Sequence, residues 1–345
     1  MSTPDSEHPL SVAVVGVGEM GRNHARCLAS MKGVDLVAVV DLDAHRCEGV
    51  ATMFGCQAVT SVEHLPQLDA AVVAVPSTSH AEVGCALMER GIHCLVEKPL
   101  ALDRTGAQLL VNAADSANVV LQVGHIERFN PAVRQLKELL AGEQVLVANT
   151  RRMSALSTRV TDIDVVMDLM VHDLDIVLFL MGDRIDNIEA RAVAGTNGPD
   201  HVTALLSFED GRLASLTASR ITQNQVRQLE VTTRDRFFTV DYPNQELLIF
   251  RQGRIEGVDG ADTSEGRYVL DVDTRRVFVR RVEPLVAELQ HFVGVIRGEM
   301  ENEVDGEQAL AALNLVWDIQ QRLGLVADGL EMVESESVKS GDEEQ

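Results

Sequence analysis

Positive charge is scarce in this sequence. Thirty Lys and Arg stand against 53 Asp and Glu, for a formal net charge of −23. Such a chain repels nucleic acid and anionic membrane surfaces, so neither is expected as a partner. An anionic ligand would have to be met by local cations and helix ends. Cysteine is sparse as well. Cys27, Cys47, Cys56, Cys85 and Cys94 are odd in number and form no CxxC. That argues against a disulfide framework and for reduced, packed thiols in a cytoplasmic protein. No apolar run approaches bilayer length. The opening MSTPDSEHPL lacks both the basic and the apolar part of a signal peptide. No internal repeat is visible, and residues 334–345 read as a disordered acidic tail.

What is present is ample apolar residue content, 46% of 345 residues. That length exceeds a usual single core and predicts two domains, residues 1–125 and 126–333. The first is organised around Val12 to Val15, an apolar run ending in Gly16-Val17-Gly18-Glu19-Met20-Gly21. Gly16 permits a tight turn, Gly18 lets the backbone approach a pyrophosphate, and Gly21 lets helix and strand pack closely. The pyrophosphate would sit on the N-terminus of the following helix, Arg22–Met31. A second apolar run, Leu36 to Val40, ends in Asp41. A carboxylate at that spacing binds the adenine ribose and selects NAD over NADP, with Asp43 adding charge and Arg46 offering a counter-ion.

The alternation continues. Strands are predicted at Ala70–Val75, His93–Val96 and Val119–Val123, and helices at Ala44–Phe54, Ser79–Arg90 and Gly106–Ser116. This is a doubly wound parallel sheet of the Rossmann type, with ligands bound outside its C-terminal strand ends. Those ends carry Pro76-Ser77-Thr78-Ser79-His80, Glu97-Lys98-Pro99, and Gly124-His125 followed by Arg128-Phe129-Asn130-Pro131.

Beyond it come a helix from Pro131 to about Leu140, a strand at Leu146–Met153 and a long helix at Asp164–Met181. The region from Ile185 is rich in strands: Val202–Phe208, Arg212–Ser219, Leu229–Thr233, Phe237–Tyr242, Leu247–Arg251 and Val277–Arg281. An antiparallel sheet of roughly five or six strands is expected. Helices Pro284–Arg297 and Gly306–Leu323 close the chain. The second domain is thus α+β.

Lys98 follows a buried strand at the ligand edge, where packing does not need a lysine. Asp168 and His172, four residues apart, share a helix face and make a proton-handling pair. They could also ligate a metal, but no further His or Cys completes such a site, so none is expected. Asp173 and Asp175 are read as facing solvent or a domain boundary. Arg128, Arg151, Arg152 and Arg159 cluster in sequence near the domain junction, where arginine can grip a phosphate or carboxylate.

Taken together, these motifs resemble the Gfo/Idh/MocA family of NAD(P)-dependent sugar oxidoreductases. The resemblance rests on the glycine loop with Asn23-His24-Ala25, on Glu97-Lys98-Pro99, on Gly124-His125 with Arg128-Phe129-Asn130-Pro131, and on Asp168-x-x-x-His172-x-x-Asp175. It implies a catalytic group of Lys98, Asp168 and His172, and an open, mainly antiparallel second sheet used to form homodimers or homotetramers. Contacts to NAD would come from Gly16, Val17, Gly18, Glu19, Met20, Gly21, Asp41, Pro76, Ser77, Thr78, His80, Glu97 and Lys98. Substrate contacts would come from Lys98, His125, Arg128, Asn130, Arg159, Asp168 and His172. Within the family, the run from His125 to Val133 looks most like the UDP-N-acetylglucosamine 3-dehydrogenase group. A free cyclitol or monosaccharide remains an alternative substrate, and a non-catalytic NAD-binding regulator an alternative function. One departure is visible: Val165-Val166-Met167 stand where the family often has glycines. No proton-handling residue is lost by it.

Overall fold

The computed structural model describes residues 8–155, 163–195, 198–257 and 268–325. Six strands build the first sheet: β1 (Leu10–Val15), β2 (Val34–Val40), β3 (Gln57–Val59), β4 (Ala70–Val73), β5 (His93–Glu97) and β6 (Leu121–Gly124). Their spatial order is β3-β2-β1-β4-β5-β6, and every pairing is parallel. Strands β1, β4 and β5 and the C-terminal part of β2 are largely buried on both faces, which is why Val12–Val15, Leu36–Val40, Ala70–Val73 and Cys94–Val96 read as apolar runs. The crossover helices are α1 (Glu19–Ala29), α2 (Ala44–Phe54), α3 (His80–Met88) and α4 (Arg104–Ala117). Asp43 and Asp103 cap α2 and α4 by accepting from Arg46 N–H and Gly106 N–H. Gly55 and Asn118 end the same helices in the left-handed conformation. Strand β3 had no signal in the sequence, because two of its three residues are exposed.

After α5 (Pro131–Leu139), capped by Asn130 with Pro131 in the first turn, the chain enters a second sheet. Among the described residues it has eight strands, not five or six: β7 (Val147–Met153), β8 (Ile185–Gly195), β9 (Gly198–Phe208), β10 (Leu213–Ser219), β11 (Val226–Thr232), β12 (Phe237–Asp241), β13 (Glu246–Gly257) and β14 (Tyr268–Arg276). Their order is β14-β13-β12-β11-β7-β10-β9-β8. The sheet is mainly antiparallel, with one parallel pair where β10 meets β7. The strand expected at Val277–Arg281 does not form. Its place is taken by β14, which pairs β13, while Phe278 is 89% exposed.

The long helix expected at Asp164–Met181 opens as a π turn, Val166–Met170, and continues as α6 (Val171–Met181). Asp164 starts it: one carboxylate oxygen accepts from Val166 N–H and Met167 N–H. Helices α5, α6 and α8 (Gly306–Arg322) lie on the second sheet. Helix α7 (Pro284–Ile296) returns to the first domain, where Leu285, Leu289 and Phe292 pack in one core with β1, α1 and α2. All five cysteines are free thiols. No helix of the described residues is long and apolar enough to cross a membrane.

Candidate active site

The glycine loop is clamped between strands. Gly16 N–H donates to Val40 O at 2.7 Å, and Ala74 N–H to Val15 O at 2.7 Å. A Cβ on Gly16 would stand 2.5 Å from Ala74 O, and one on Gly21 only 1.7 Å from Gly16 O. Neither position tolerates a side chain. Gly18, by contrast, faces open space, with nothing within 4 Å of where its Cβ would be. It starts α1 with no side-chain cap. The loop therefore leaves an uncovered helix N-terminus beside bare backbone, which suits a pyrophosphate.

A cleft of about 780 Å³ runs from this loop along the strand ends. Gly16, Gly18, Glu19, Met20, Asp41, Pro76, Ser77, His80, Glu97 and Lys98 line it. Three residues expected at the cofactor do not. Thr78 is exposed away from the cleft, Gly21 is spent on helix packing, and Val17 is buried with its N–H on Asp41. His80 lines the wall, but its ring nitrogens lie 2.9 and 3.0 Å from the carbonyls of Pro99 and Val75. It ties two loops together. Thr60, Ser61 and Val62, which follow the unpredicted β3, complete the far wall.

Asp41 accepts from Val17 N–H at 2.9 Å, Asp43 N–H at 3.0 Å and Arg46 Nη2 at 2.7 Å. Burial alone would raise its pKa, but these donors outweigh it and hold the carboxyl below its usual range. The group is an anion fixed at the end of β2. NADH is expected to bind more tightly than NADPH, on the order of tenfold or more, because a 2′-phosphate would meet that charge. Fluorescence titration with both reduced cofactors reads this directly, and Asp41→Ala should narrow the gap by freeing Arg46. Equal affinities in the parent protein would refute the assignment.

At the other end, Lys98 Nζ donates to the Asp168 carbonyl at 2.9 Å and lies 3.5 Å from its carboxylate. The π turn thus presents Asp168 to Lys98 twice, and π turns recur at functional sites. Asp168 pairs with Lys98 and not with His172. His172 sits one turn on, with its Nδ1 buried and without a hydrogen-bond partner among the described residues. Burial, then the positive charges of Lys98 and Arg152, push its pKa well below 6.5. A neutral imidazole beside an ammonium is what proton abstraction from a hydroxyl requires.

Behind Lys98, Glu97 lies 2.7 Å from His24 Nε2 on α1. Burial pushes its carboxyl up, yet His24 and Lys98 together hold it below the usual range. Glu288 on α7 is fully buried, and neither of its oxygens finds a hydrogen-bond partner among the described residues. Burial, with Glu97 adding to it, drives its carboxyl well above that range, so it keeps its proton.

The expected substrate arginines are placed differently. Arg128 is 3% exposed; its Nε and Nη2 grip Asp175 at 2.7 and 2.5 Å, and Nη1 reaches Glu303 O and Gln308. Arg152 grips Asp173 at 3.1 and 3.0 Å and Glu127 at 3.0 Å. Asp173 and Asp175 therefore face the core and not solvent. Asn130 is also buried, as the cap of α5 and a donor to Tyr242 O. Arg151 lies on the opposite sheet face with Glu230 and Gln228. Arg159 falls outside the described residues. His125 is 2% exposed, with Nδ1 3.9 Å from Asp175. Burial lowers its pKa, so it is neutral.

Comparisons with known proteins place the chain in a family. Residues 10–125 match the model of an oxidoreductase family with an NAD-binding Rossmann fold, and residues 151–236 match the GFO/IDH/MocA C-terminal domain. The chain is 33% identical to UDP-N-acetylglucosamine 3-dehydrogenase of Acidithiobacillus ferrooxidans over 88% of its own length and 95% of that protein's. This chain belongs to the Gfo/Idh/MocA family. As a family member it is an NAD-dependent oxidoreductase acting on hydroxyl groups. A solved structure of the Acidithiobacillus ferrooxidans enzyme superposes with a TM-score of 0.83 at 31% identity, covering 91% of this chain and 97% of that one. Inositol 2-dehydrogenase 4 of Saccharopolyspora erythraea is 34% identical, but over only 57% of this chain and 62% of its own.

Proposed function

We propose that this enzyme oxidises the 3-hydroxyl of UDP-N-acetylglucosamine to the 3-keto sugar. One observation carries the choice. The likeness to the UDP-N-acetylglucosamine enzyme runs through both domains, whereas the likeness to inositol 2-dehydrogenase 4 stops at 57% of this chain. Substrate is read largely by the second domain, so likeness there weighs most. NAD supplies the hydride acceptor. Lys98 holds the developing alkoxide by its ammonium, Asp168 fixes that ammonium, and neutral His172 takes the hydroxyl proton.

The helices of the second domain cover one face of its sheet. The other carries Arg151, Gln228, Glu230, Thr203 and Thr217, and we place a second copy of the chain against it, giving a homodimer or homotetramer. Five unpaired thiols suit a reducing cytoplasm.

The deciding experiment is a panel of UDP-sugars, free sugars and inositol with NAD. NADH formation is followed by absorbance, and a ketone-trapping reagent pulls the reaction forward. Turnover of UDP-N-acetylglucosamine supports the reading. Turnover of inositol or glucose alone would reject the substrate and leave the oxidoreductase standing.

A further inference from the structure

With Arg128 and Arg152 consumed by core carboxylates, something else must meet the negative charge of a sugar nucleotide. Arg227 on β11 stands directly opposite Arg152 on β7 in the ladder, so both point to the helix-covered face of the second sheet. Like charges placed opposite one another cost stability. Here the cost is moderated, because Asp173 and Glu127 already hold Arg152. Asp168, the remaining carboxylate whose charge Arg227 feels, is paired with Lys98. Arg227 itself is solvent-exposed, and its guanidinium makes no hydrogen bond or ion pair among the described residues. Asp173, which Arg152 grips, directly follows His172 in the chain, so the Arg152–Arg227 pair lies against the start of the helix that carries His172. In a protein with 53 acidic residues, an arginine left unpaired beside the catalytic group is kept for an incoming anion.

We propose that Arg227 binds an anionic group of the substrate, phosphoryl or carboxyl, and so selects sugar nucleotides over neutral sugars. The inference rests on the sugar-nucleotide reading above. A planar guanidinium with free donors matches either group bidentately. On UDP-N-acetylglucosamine the anion is the diphosphate. On the corresponding uronic acid it could instead be the sugar carboxylate.

The test compares wild type with Arg227→Gln and Arg227→Lys. Arg227→Gln should raise KM for UDP-N-acetylglucosamine about 10- to 100-fold, the loss expected for a charge-assisted hydrogen bond, with kcat within a few-fold and NADH affinity unchanged. Arg227→Lys should recover part of it. UDP as a competitive inhibitor separates the two sources. A matching rise in its inhibition constant assigns the phosphoryl group. An unchanged UDP constant, with the KM rise confined to the uronic acid substrate, assigns the carboxyl group. A purely structural arginine would instead lower kcat or thermal stability and leave these constants alone, and that result overturns the inference. Wild-type turnover of UDP-N-acetylglucosamine with an unchanged Arg227→Gln KM overturns this inference alone. Wild-type turnover of inositol only, with UDP affinity the same in both proteins by calorimetry, overturns it together with the substrate reading.

Discussion

Replacing Lys98 by methionine, or His172 by alanine, is expected to slow turnover by roughly 10²- to 10⁴-fold, the usual contribution of a positioned acid–base group. NADH affinity should change little, because the glycine loop and Asp41 hold the opposite end of the cleft. The two side chains are coupled, and the coupling gives each variant its own signature. His172 is kept neutral by burial first and by the charge of Lys98 second. Its pKa lies well below 6.5, so in the parent enzyme the loss of activity on acidification should fall well below pH 6.5. Removing the Lys98 ammonium removes a charge that lowers that pKa. The pKa then rises, and in Lys98→Met the acidic limb of the residual activity should move to higher pH. In His172→Ala this limb should vanish. Measuring kcat/KM between pH 5 and 9 (about four units, spanning ordinary histidine and lysine behaviour) decides the matter. A Lys98→Met profile unshifted from the parent, or normal turnover in either variant, would show that these residues do not act as described.

The two halves of this molecule differed in how legible they were. The first domain could be read from local pattern because a parallel sheet buried on both faces writes itself as apolar runs, as at Leu36–Val40, with polar residues at the strand ends. Asp41 and Lys98 stand at such ends, and the structure puts both in one cleft. The second sheet was undercounted for the same physical reason in reverse. Strand β8 is largely exposed and carries no apolar stripe. The Val277–Val279 alternation looked like a strand, but its pairing stops after a single bond from Val277 N–H to Leu247 O. That β10 runs parallel to β7 is a matter of chain path, which no local pattern encodes.

The helix carrying Asp168 and His172 illustrates the limit well. Spacing placed Asp168 and His172 on one face, and both belong to the same continuous helical segment. What spacing could not show is that the segment opens as a π turn, built on Asp164 and anchored when that residue's other oxygen accepts from Gln320 on α8. The valines and methionine that replace the family's glycines are buried there. The turn hands Asp168 to Lys98. Arg227 escaped notice altogether, since an exposed arginine on a polar strand has no signature until its neighbour across the ladder is known.

Arg128 gives the sharpest contrast, because its position just past a strand end invited a role in substrate binding. The structure makes it a core residue, and the two roles predict opposite measurements. Arg128→Ala should destabilise the fold by about 3–5 kcal/mol, since it leaves Asp175 buried without its partner. Asp175 is 1% exposed, and His125, with Nδ1 3.9 Å away, can become a replacement cation on protonation. His125 is normally held neutral by burial, and Arg128 also depresses its pKa. Without Arg128 that pKa rises, and a protonated His125 can partly offset Asp175. The stability deficit should therefore shrink as the pH falls toward 6 and be largest above it. Arg128→Lys should not rescue, because one ammonium cannot reproduce the paired contacts to Asp175. Arg128→Met combined with Asp175→Leu should recover much of the loss, as paired apolar replacement of buried ion pairs commonly does. Urea unfolding of the parent and the three variants at pH 6 and 8 tests the set, with KM measured on the folded protein beside it. If Arg128→Ala kept parental stability and instead raised KM tenfold, the arginine would be a substrate ligand after all and the core assignment would be wrong.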